Sequence, residues 1–328
     1  MSQKLSLRIQ AKHFLNSKVQ TPAFTSKATI PKPLTFLFKR PFIPYNPTRN
    51  SQSRFLVKQH LSLMMKFLTV SCLLFISSSS LFSSNFSSLF NKKELTVLIE
   101  NINSGEQYVY NPERAAERFT PFSTFKVPNS LIALETGTIP NKDHVLKYDI
   151  EKYPKKWGPQ KWYKDHSLKS ALQDSVVWFY QESAQKIGRP SYKRLLKTLA
   201  YGNQNVSGEI QSFWLRNDAL KISAVEQLEF IQNLYLEKFK LRKSTMKTVK
   251  EIMLIEEGKD YKLYGKTGTG PSGKNTWLGW IVGFVEFKNT PYLYVMNLEK
   301  EGEYSELDQA RRTFLRKAFR HLKIRIKF

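Results

Sequence analysis

The chain has 328 residues, 41% of them hydrophobic, enough for one sizeable core in one body or two lobes. Its formal charge of +25 would suit a nucleic-acid partner, but 14 of the basic residues lie in the first 93 positions, where no acid occurs, leaving +11 for residues 94–328. A nucleic-acid-binding reading therefore rests on charge alone and is set aside. The single cysteine, Cys72, leaves no disulfide framework, thiolate chemistry or cysteine–metal site in the rest of the chain.

Residues 1–63, rich in Lys, Pro and Ser and without periodicity, read as a disordered basic leader or as an extension upstream of the true start, with Met64 or Met65 as a natural initiator. Lys66 then precedes an apolar run, Phe67 to Ile76, and a tract of small residues, which is the layout of a secretory signal peptide. The run is shorter than the ~18–20 residues needed to span a bilayer. Residues 64–93 are expected to be a signal peptide and a short N-terminal stretch. The product is expected to be exported, periplasmic or secreted, without stable membrane insertion after cleavage. Cys72 is a weak candidate for a lipid anchor, because the apolar stretch before it is short.

From residue 94 the pattern is that of a folded unit. Leu95–Glu100 and Gln107–Tyr110 are β-rich runs joined by an Asn/Ser/Gly turn, a hairpin. Helical periodicity follows over Phe125–Thr136, closed by Gly137, and over Leu168–Ile187, ending before Gly188-Arg189-Pro190. Ser191–Leu199, Ala224–Lys238 and Ser244–Glu256 continue it. Strands return at Tyr261–Lys266, Leu278–Phe287 and Pro291–Leu298, and a basic helix, Leu307–Leu322, closes the chain, its charges reading as a solvated face. Strands at both ends with helices between predict an α+β fold: one mainly antiparallel sheet (94–120 and 260–328) and an inserted helical lobe (121–259).

"PFSTFKVPNSLIALETG" sets Ser123 three residues before Lys126 at the start of an apolar helix. Serine is a poor nucleophile without an adjacent base, and residues three apart on a helix share a face. The helix N-terminus adds N–H groups suited to an oxyanion or carboxylate. An ammonium cannot be a base, but the apolar neighbours Phe122, Phe125 and Val127 could desolvate Lys126 and lower its pKa. Ser-x-x-Lys is cheap, however. Ser183–Lys186 and Ser244–Lys247 match it too, on what read as polar, Lys-rich helical faces.

Three further motifs follow in order: Ser175-Val176-Val177, Tyr201-Gly202-Asn203, and Lys266-Thr267-Gly268 at a strand end. Each is weak alone. Together with Ser123 and Lys126 they resemble the active-site serine penicillin-recognising enzymes. The blocks "YNPERAAERFTPFSTFKVPNSLIALETG", "SVVWFYQE", "YGN", "SFWLRNDALKISAVEQLEF" and "YGKTGTG" followed by "GWIVGFVE" are similar to class D β-lactamases, over residues 95–325.

That resemblance implies a β-lactamase/transpeptidase-like fold and hydrolysis of a small-molecule β-lactam of the penicillin type, without a metal. It implies that Ser123 is acylated and that Lys126 carries CO2 as a carbamate, the general base of acylation and deacylation. Ser175 would relay protons, and Lys266 would favour the substrate carboxylate and the ionisation of Ser175. Thr267, Gly268 and Thr269 would line the substrate strand, with the backbone N–H groups of Ser123 and Thr269 as oxyanion hole. Arg311 falls where the family pairs an Arg with the substrate carboxylate. Trp214 would hold the carbamate through its indole N–H, a donor only, while Val177 and Leu215 keep the pocket dry. From the residues alone, Trp214 reads equally well as a core tryptophan. Tyr201, Gly202 and Asn203 are expected to be structural.

The family usually carries a further segment before the first strand, which leaves the packing there and the cleavage point open; homodimerisation is also open. The short polar loop "TGPSGKNTW" gives no basis for carbapenem turnover. The competing reading is a penicillin sensor that acylates but does not deacylate; such receptors add membrane helices and a metalloprotease, and no H-E-x-x-H occurs here. A peptidoglycan transpeptidase or carboxypeptidase is the third reading.

Overall fold

Period-2 apolar patterning in the strands and period-3.6 patterning in the helices build the two-layered core seen in a computed structural model that describes residues 86–155 and 158–327. The leader, the signal-like run and Cys72 lie outside these residues. In chain order the elements begin with strands β1 (Leu95–Asn101) and β2 (Gln107–Tyr110), helix α1 (Pro112–Ala116) and β3 (Arg118–Phe119). A 3-10 turn, Phe122–Phe125, leads into α2 (Lys126–Glu135). The helical lobe continues with the short strands β4 (Val145–Leu146) and β5 (His166–Ser167), then α3 (Leu168–Gln173) and α4 (Val177–Thr198). Next come β6 (Ile222–Ser223), α5 (Ala224–Tyr235), α6 (Lys243–Ile252) and β7 (Leu254–Glu257). The chain closes with β8 (Tyr261–Gly273), β9 (Thr276–Phe287), β10 (Thr290–Glu301) and α7 (Tyr304–His321).

Six strands form one sheet in the order β2-β1-β10-β9-β8-β7, every pair antiparallel, with Leu95 opposite Leu298 and Lys266 opposite Val282. The expected α+β architecture is therefore present. The central strands are buried on both faces, so alternate residues enter different cores. Leu98, Trp280, Val282, Phe284, Leu293 and Val295 join the helical lobe; Val97, Ile99, Ile281, Val285 and Met296 face α7. The second core reaches upstream of residue 94. Phe86 packs edge-on against Phe90 at 6.1 Å, and Phe90 against Tyr110 and Phe314 at 5.0 and 5.8 Å. The backbone of Lys92 bonds the Tyr110 hydroxyl, and Asn111 Nδ2 donates to the Lys93 carbonyl at 2.8 Å.

Four elements depart from the sequence expectation. The helix expected over Leu168–Ile187 is broken at 174–176, and Ser175 sits in the break with φ 58°. The helix expected to reach Glu256 ends at Ile252 and gives way to β7. That from Ala224 stops at Tyr235. Strand β8 runs on to Gly273, so Lys266-Thr267-Gly268 lies within the strand rather than at its end. The expected interruption at Gly188 is present as a kink in α4, with Gly188 at φ 74°.

Candidate active site

The nucleophile turn is held from three sides. Thr124 Oγ1 donates to the Pro121 carbonyl at 2.7 Å and accepts from Gln227 Nε2 at 3.0 Å. Trp280, on β9, donates its indole N–H to the Thr120 carbonyl at 2.9 Å. Phe122 adopts φ 48°, a left-handed conformation uncommon outside glycine. Its ring fills the space above Gly270, where an added Cβ would lie 2.0 Å from Phe122 Cε1. A Cβ on Gly268 would lie 2.7 Å from the Pro121 carbonyl. The glycines at 268 and 270 thus let β8 approach the backbone around Ser123 closely.

Within this frame Lys126 Nζ donates to Ser123 Oγ at 2.8 Å. Lys126 is 1% exposed, and its amine lies 5.6 Å from the centre of the Tyr180 ring. Burial, and then the nearby Lys266 charge, hold the Lys126 amine well below the usual lysine range. Lys266 is also buried, with Nζ donating to the Thr267 carbonyl at 2.9 Å. Burial, then the charges of Arg311 and Lys161, bring it down to about 7. Two amines in one dry site favour the state in which only one is charged.

Thr267 and Thr269, two apart on β8, are half-buried. Arg311, from α7, donates Nη1 to Thr269 Oγ1 at 2.7 Å and to the Gly268 carbonyl at 3.3 Å, while its Nε donates to Asp308 at 2.9 Å. The guanidinium is 2% exposed and already engaged. Because Arg311 occupies a lone pair of Thr269, the threonine's own O–H is left to donate to an incoming anion. Asp308 was not singled out in the sequence, although its place three residues before Arg311 on a helix is a readable signal.

Trp214 stacks on Phe125, the residue before Lys126, with centroids 5.4 Å apart, and meets the edge of Phe213 at 5.1 Å. It is 1% exposed, and its indole N–H has no hydrogen-bond partner among the described residues. A buried unpaired donor costs about 1–3 kcal/mol, so its persistence beside the Lys126 helix fits a role in holding an acceptor there. Val177 is buried and Leu215 half-buried, both apolar.

Tyr201, Gly202 and Asn203 make the scaffold behind this wall. Tyr201 packs edge-on against Phe125 at 5.7 Å and Phe230 at 5.0 Å. Gly202 has φ 53°, and a Cβ there would lie 2.1 Å from the Lys221 carbonyl. Asn203 clips residues 219–221 with both ends of its amide, Nδ2 to the Ala219 carbonyl and Oδ1 from the Lys221 N–H, each at 2.9 Å. Ser175 stands at the α3–α4 break, its N–H donating to the Leu172 carbonyl at 3.2 Å.

The other two Ser-x-x-Lys pairs do not reproduce this environment. Ser244 and Lys247 are both exposed. Ser183 is buried, contrary to its expected place on a polar face, because α4 turns it inward toward α2; Lys186 is exposed.

Residues 89–318 match the family described as the penicillin binding protein transpeptidase domain. Among curated proteins the chain is 39% identical over 213 residues to "Probable beta-lactamase YbxI" of Bacillus subtilis (strain 168), covering 65% of this chain and 77% of that protein. It is 30% identical over 229 residues to "Regulatory protein BlaR1" of Bacillus licheniformis, covering 69% of this chain but only 37% of that protein. Among solved structures, a class D β-lactamase from Sebaldella termitidis ATCC 33386 superposes with a TM-score of 0.68 at 36% identity, covering 74% of this chain and 97% of that one. The chain belongs to the penicillin-binding transpeptidase-domain family and, within it, to the class D β-lactamases, serine hydrolases that work through an acyl-enzyme.

Proposed function

We propose that the chain hydrolyses penicillin-type β-lactams, with Ser123 as the acylated nucleophile and Lys126 as its base. The observation that carries this reading is the 2.8 Å contact between Ser123 Oγ and a wholly buried Lys126 amine. Desolvation holds that amine well below the usual lysine range and so favours the neutral form, which can take the serine proton as the hydroxyl attacks the lactam carbonyl. The N–H groups of Ser123 and Thr269 receive the oxyanion. Lys266, Thr267 and the Thr269 hydroxyl set by Arg311 bind the substrate carboxylate, and Ser175 passes a proton to the leaving nitrogen. Carboxylated by CO2, Lys126 would supply an anionic base able to activate the deacylating water. Trp214, Val177 and Leu215 are the residues that would hold and shield it. By the signal-like run the protein is exported; among the described residues no helix is long and apolar enough to cross a membrane.

A sensor that acylates without deacylating is the second reading, favoured by the likeness to a regulatory protein over 229 residues. Intact-mass analysis after ampicillin separates the two. A transient adduct with turnover, lost in Ser123→Ala, supports hydrolysis; a persistent adduct without turnover supports sensing; an adduct on Ser183 or Ser244 overturns the assignment. Steady-state nitrocefin turnover with and without bicarbonate tests the state of Lys126.

A further inference from the structure

Ser175 occupies a conformation that its own sequence does not favour. It is a non-glycine residue at φ 58°, in a break that interrupts an otherwise continuous helical pattern. Such a residue is strained and persists only where its surroundings over-determine it.

The bonds made by its own helices are modest. The Ser175 N–H reaches the Leu172 carbonyl at 3.2 Å and the Val176 N–H the Ala171 carbonyl at 2.9 Å. The additional restraint comes from a separate segment, the 3-10 turn Gln160–Trp162. Trp162 Nε1 donates to the Asp174 carbonyl at 2.9 Å, which belongs to the peptide plane entering Ser175. Lys161 Nζ pairs with the Asp174 carboxylate at 2.8 Å. The turn itself is anchored: Trp178 Nε1 donates to the Trp162 carbonyl at 2.7 Å, from the first turn of α4. On the α3 side, buried His166 donates from Nε2 to the Lys161 carbonyl at 2.9 Å, and its Nδ1 is 2.9 Å from Ser170 Oγ. Burial holds this imidazole below its usual range, which favours the neutral ring with the proton on Nε2 that the carbonyl demands. Both helices flanking Ser175 are thus tied through one short turn.

We propose that Lys161 and Trp162 are positioning residues of the reaction: together they clamp Asp174 and so fix Ser175 in the left-handed geometry from which its hydroxyl works. The inference rests on the functional reading of Ser175 above, while the clamp is a matter of these contacts. Lys161 carries a second influence. Its charge is one of those that lower Lys266, the others being burial and Arg311, with the Lys126 amine facing the same group. The turn therefore touches both the geometry of Ser175 and the charge state of Lys266.

The test uses the mature protein and two variants. Trp162→Phe keeps an aromatic ring and removes the N–H; Lys161→Met removes the half-exposed charge that pairs with Asp174. Trp162→Phe is expected to slow acylation of Ser123 by ampicillin about tenfold, equivalent to ~1.4 kcal/mol. KM should stay within about twofold, a split that simple loss of folded protein does not give. In Lys161→Met, Lys266, which burial, Arg311 and Lys161 bring down to about 7, should titrate at higher pH, read as a shift of the pH–rate profile to higher pH. Amide hydrogen exchange over residues 170–178 should rise in both variants, whether or not an adduct forms. Unchanged exchange in both overturns the clamp, even if the wild type proves not to acylate, which would count against the functional reading instead. Raised exchange with acylation as fast as wild type overturns the catalytic part of the proposal.

Discussion

Ser123–Lys126 and Ser183–Lys186 share one spacing, and the fold inverts their burial. In the first pair the lysine is sealed at 1% exposure and the serine is half-buried at the base of β8. In the second the serine is sealed, also at 1%, and the lysine is in solvent. Placing a hydroxyl and an amine on one helix face requires only three residues of separation. Making the amine a base requires that water be kept from it, because a hydrated lysine amine is an ammonium at neutral pH. Phe125, Trp214 and Tyr180 exclude water around Lys126, and they come from three separate parts of the chain. The chemistry therefore belongs to the assembled walls rather than to the motif.

The sharpest way to break the comparison is to remove the amines one at a time. Lys126→Met should lower nitrocefin turnover by ~10³-fold or more, as expected when a base is deleted from a unit that acts together. Lys186→Met and Lys247→Met should leave it within about twofold. The same substitution carries a stability signature. Lys126 is held well below its unfolded value, so between the two values the unfolded chain binds a proton that the native site refuses. Stability must then rise with pH through the window between the two values. Lys266, at about 7 when folded, adds in the same direction above pH 7. In CO2-depleted buffer, the Tm measured by calorimetry should therefore climb between pH 7 and 9. The climb should be smaller in Lys126→Met, whose Tm at pH 7 should exceed that of wild type by about 2–4 °C for each kcal/mol relieved. A lower Tm would mean that the buried amine is not the burden inferred.

A smaller effect is expected at the wall. Trp214→Phe keeps an aromatic ring on Phe125 and deletes the orphaned N–H. If that donor holds an anionic group on Lys126, the loss is about 1.5–3 kcal/mol, or one to two decades in CO2 affinity. ¹³C-bicarbonate NMR should show a carbamate signal in wild type that is weakened in Trp214→Phe and absent in Lys126→Met, with turnover regained at high bicarbonate. Gly270→Ala should cost about 1–3 kcal/mol by forcing Phe122 out of its left-handed seat, read as a lower urea midpoint. The smallest change belongs to the decoy. Ser183→Ala removes a buried hydroxyl without a partner among the described residues, so turnover should be unchanged and stability equal or higher by up to ~1 kcal/mol.

The hairpin and the main helices were legible because their burial follows one face of a simple period; the bounds of β2, Gln107–Tyr110, match residue for residue. The nucleophile pair and the Lys-Thr-Gly strand were legible as local words. The break at Ser175 was not. Leu168, Ala171, Leu172, Val176, Phe179 and Tyr180 all enter the core, so the apolar pattern runs on through the point where the helix breaks. No glycine announces the left-handed residue. The far end of β8 was missed because its Thr/Gly/Pro/Ser sequence has poor strand propensity and is held by pairing with β9 and by the turn beneath it. The turn Gln160–Trp162 was invisible because its importance lies in bonds to a carbonyl and a carboxylate a dozen residues away.

Phe86 lies against His321, with ring centroids 5.9 Å apart, and Lys317 Nζ reaches the Leu89 carbonyl, so the first described residues rest on the last helix. A Gly/Ser linker long enough to cross from Lys327, which bonds Tyr261 on β8, to Phe86, which packs on Tyr108 of β2, would join ends that lie on one face of the sheet, and new termini could be opened in an exposed loop such as Asn103–Gly105. A circular permutant of this kind would keep the Ser123 turn and β8 in one uninterrupted order.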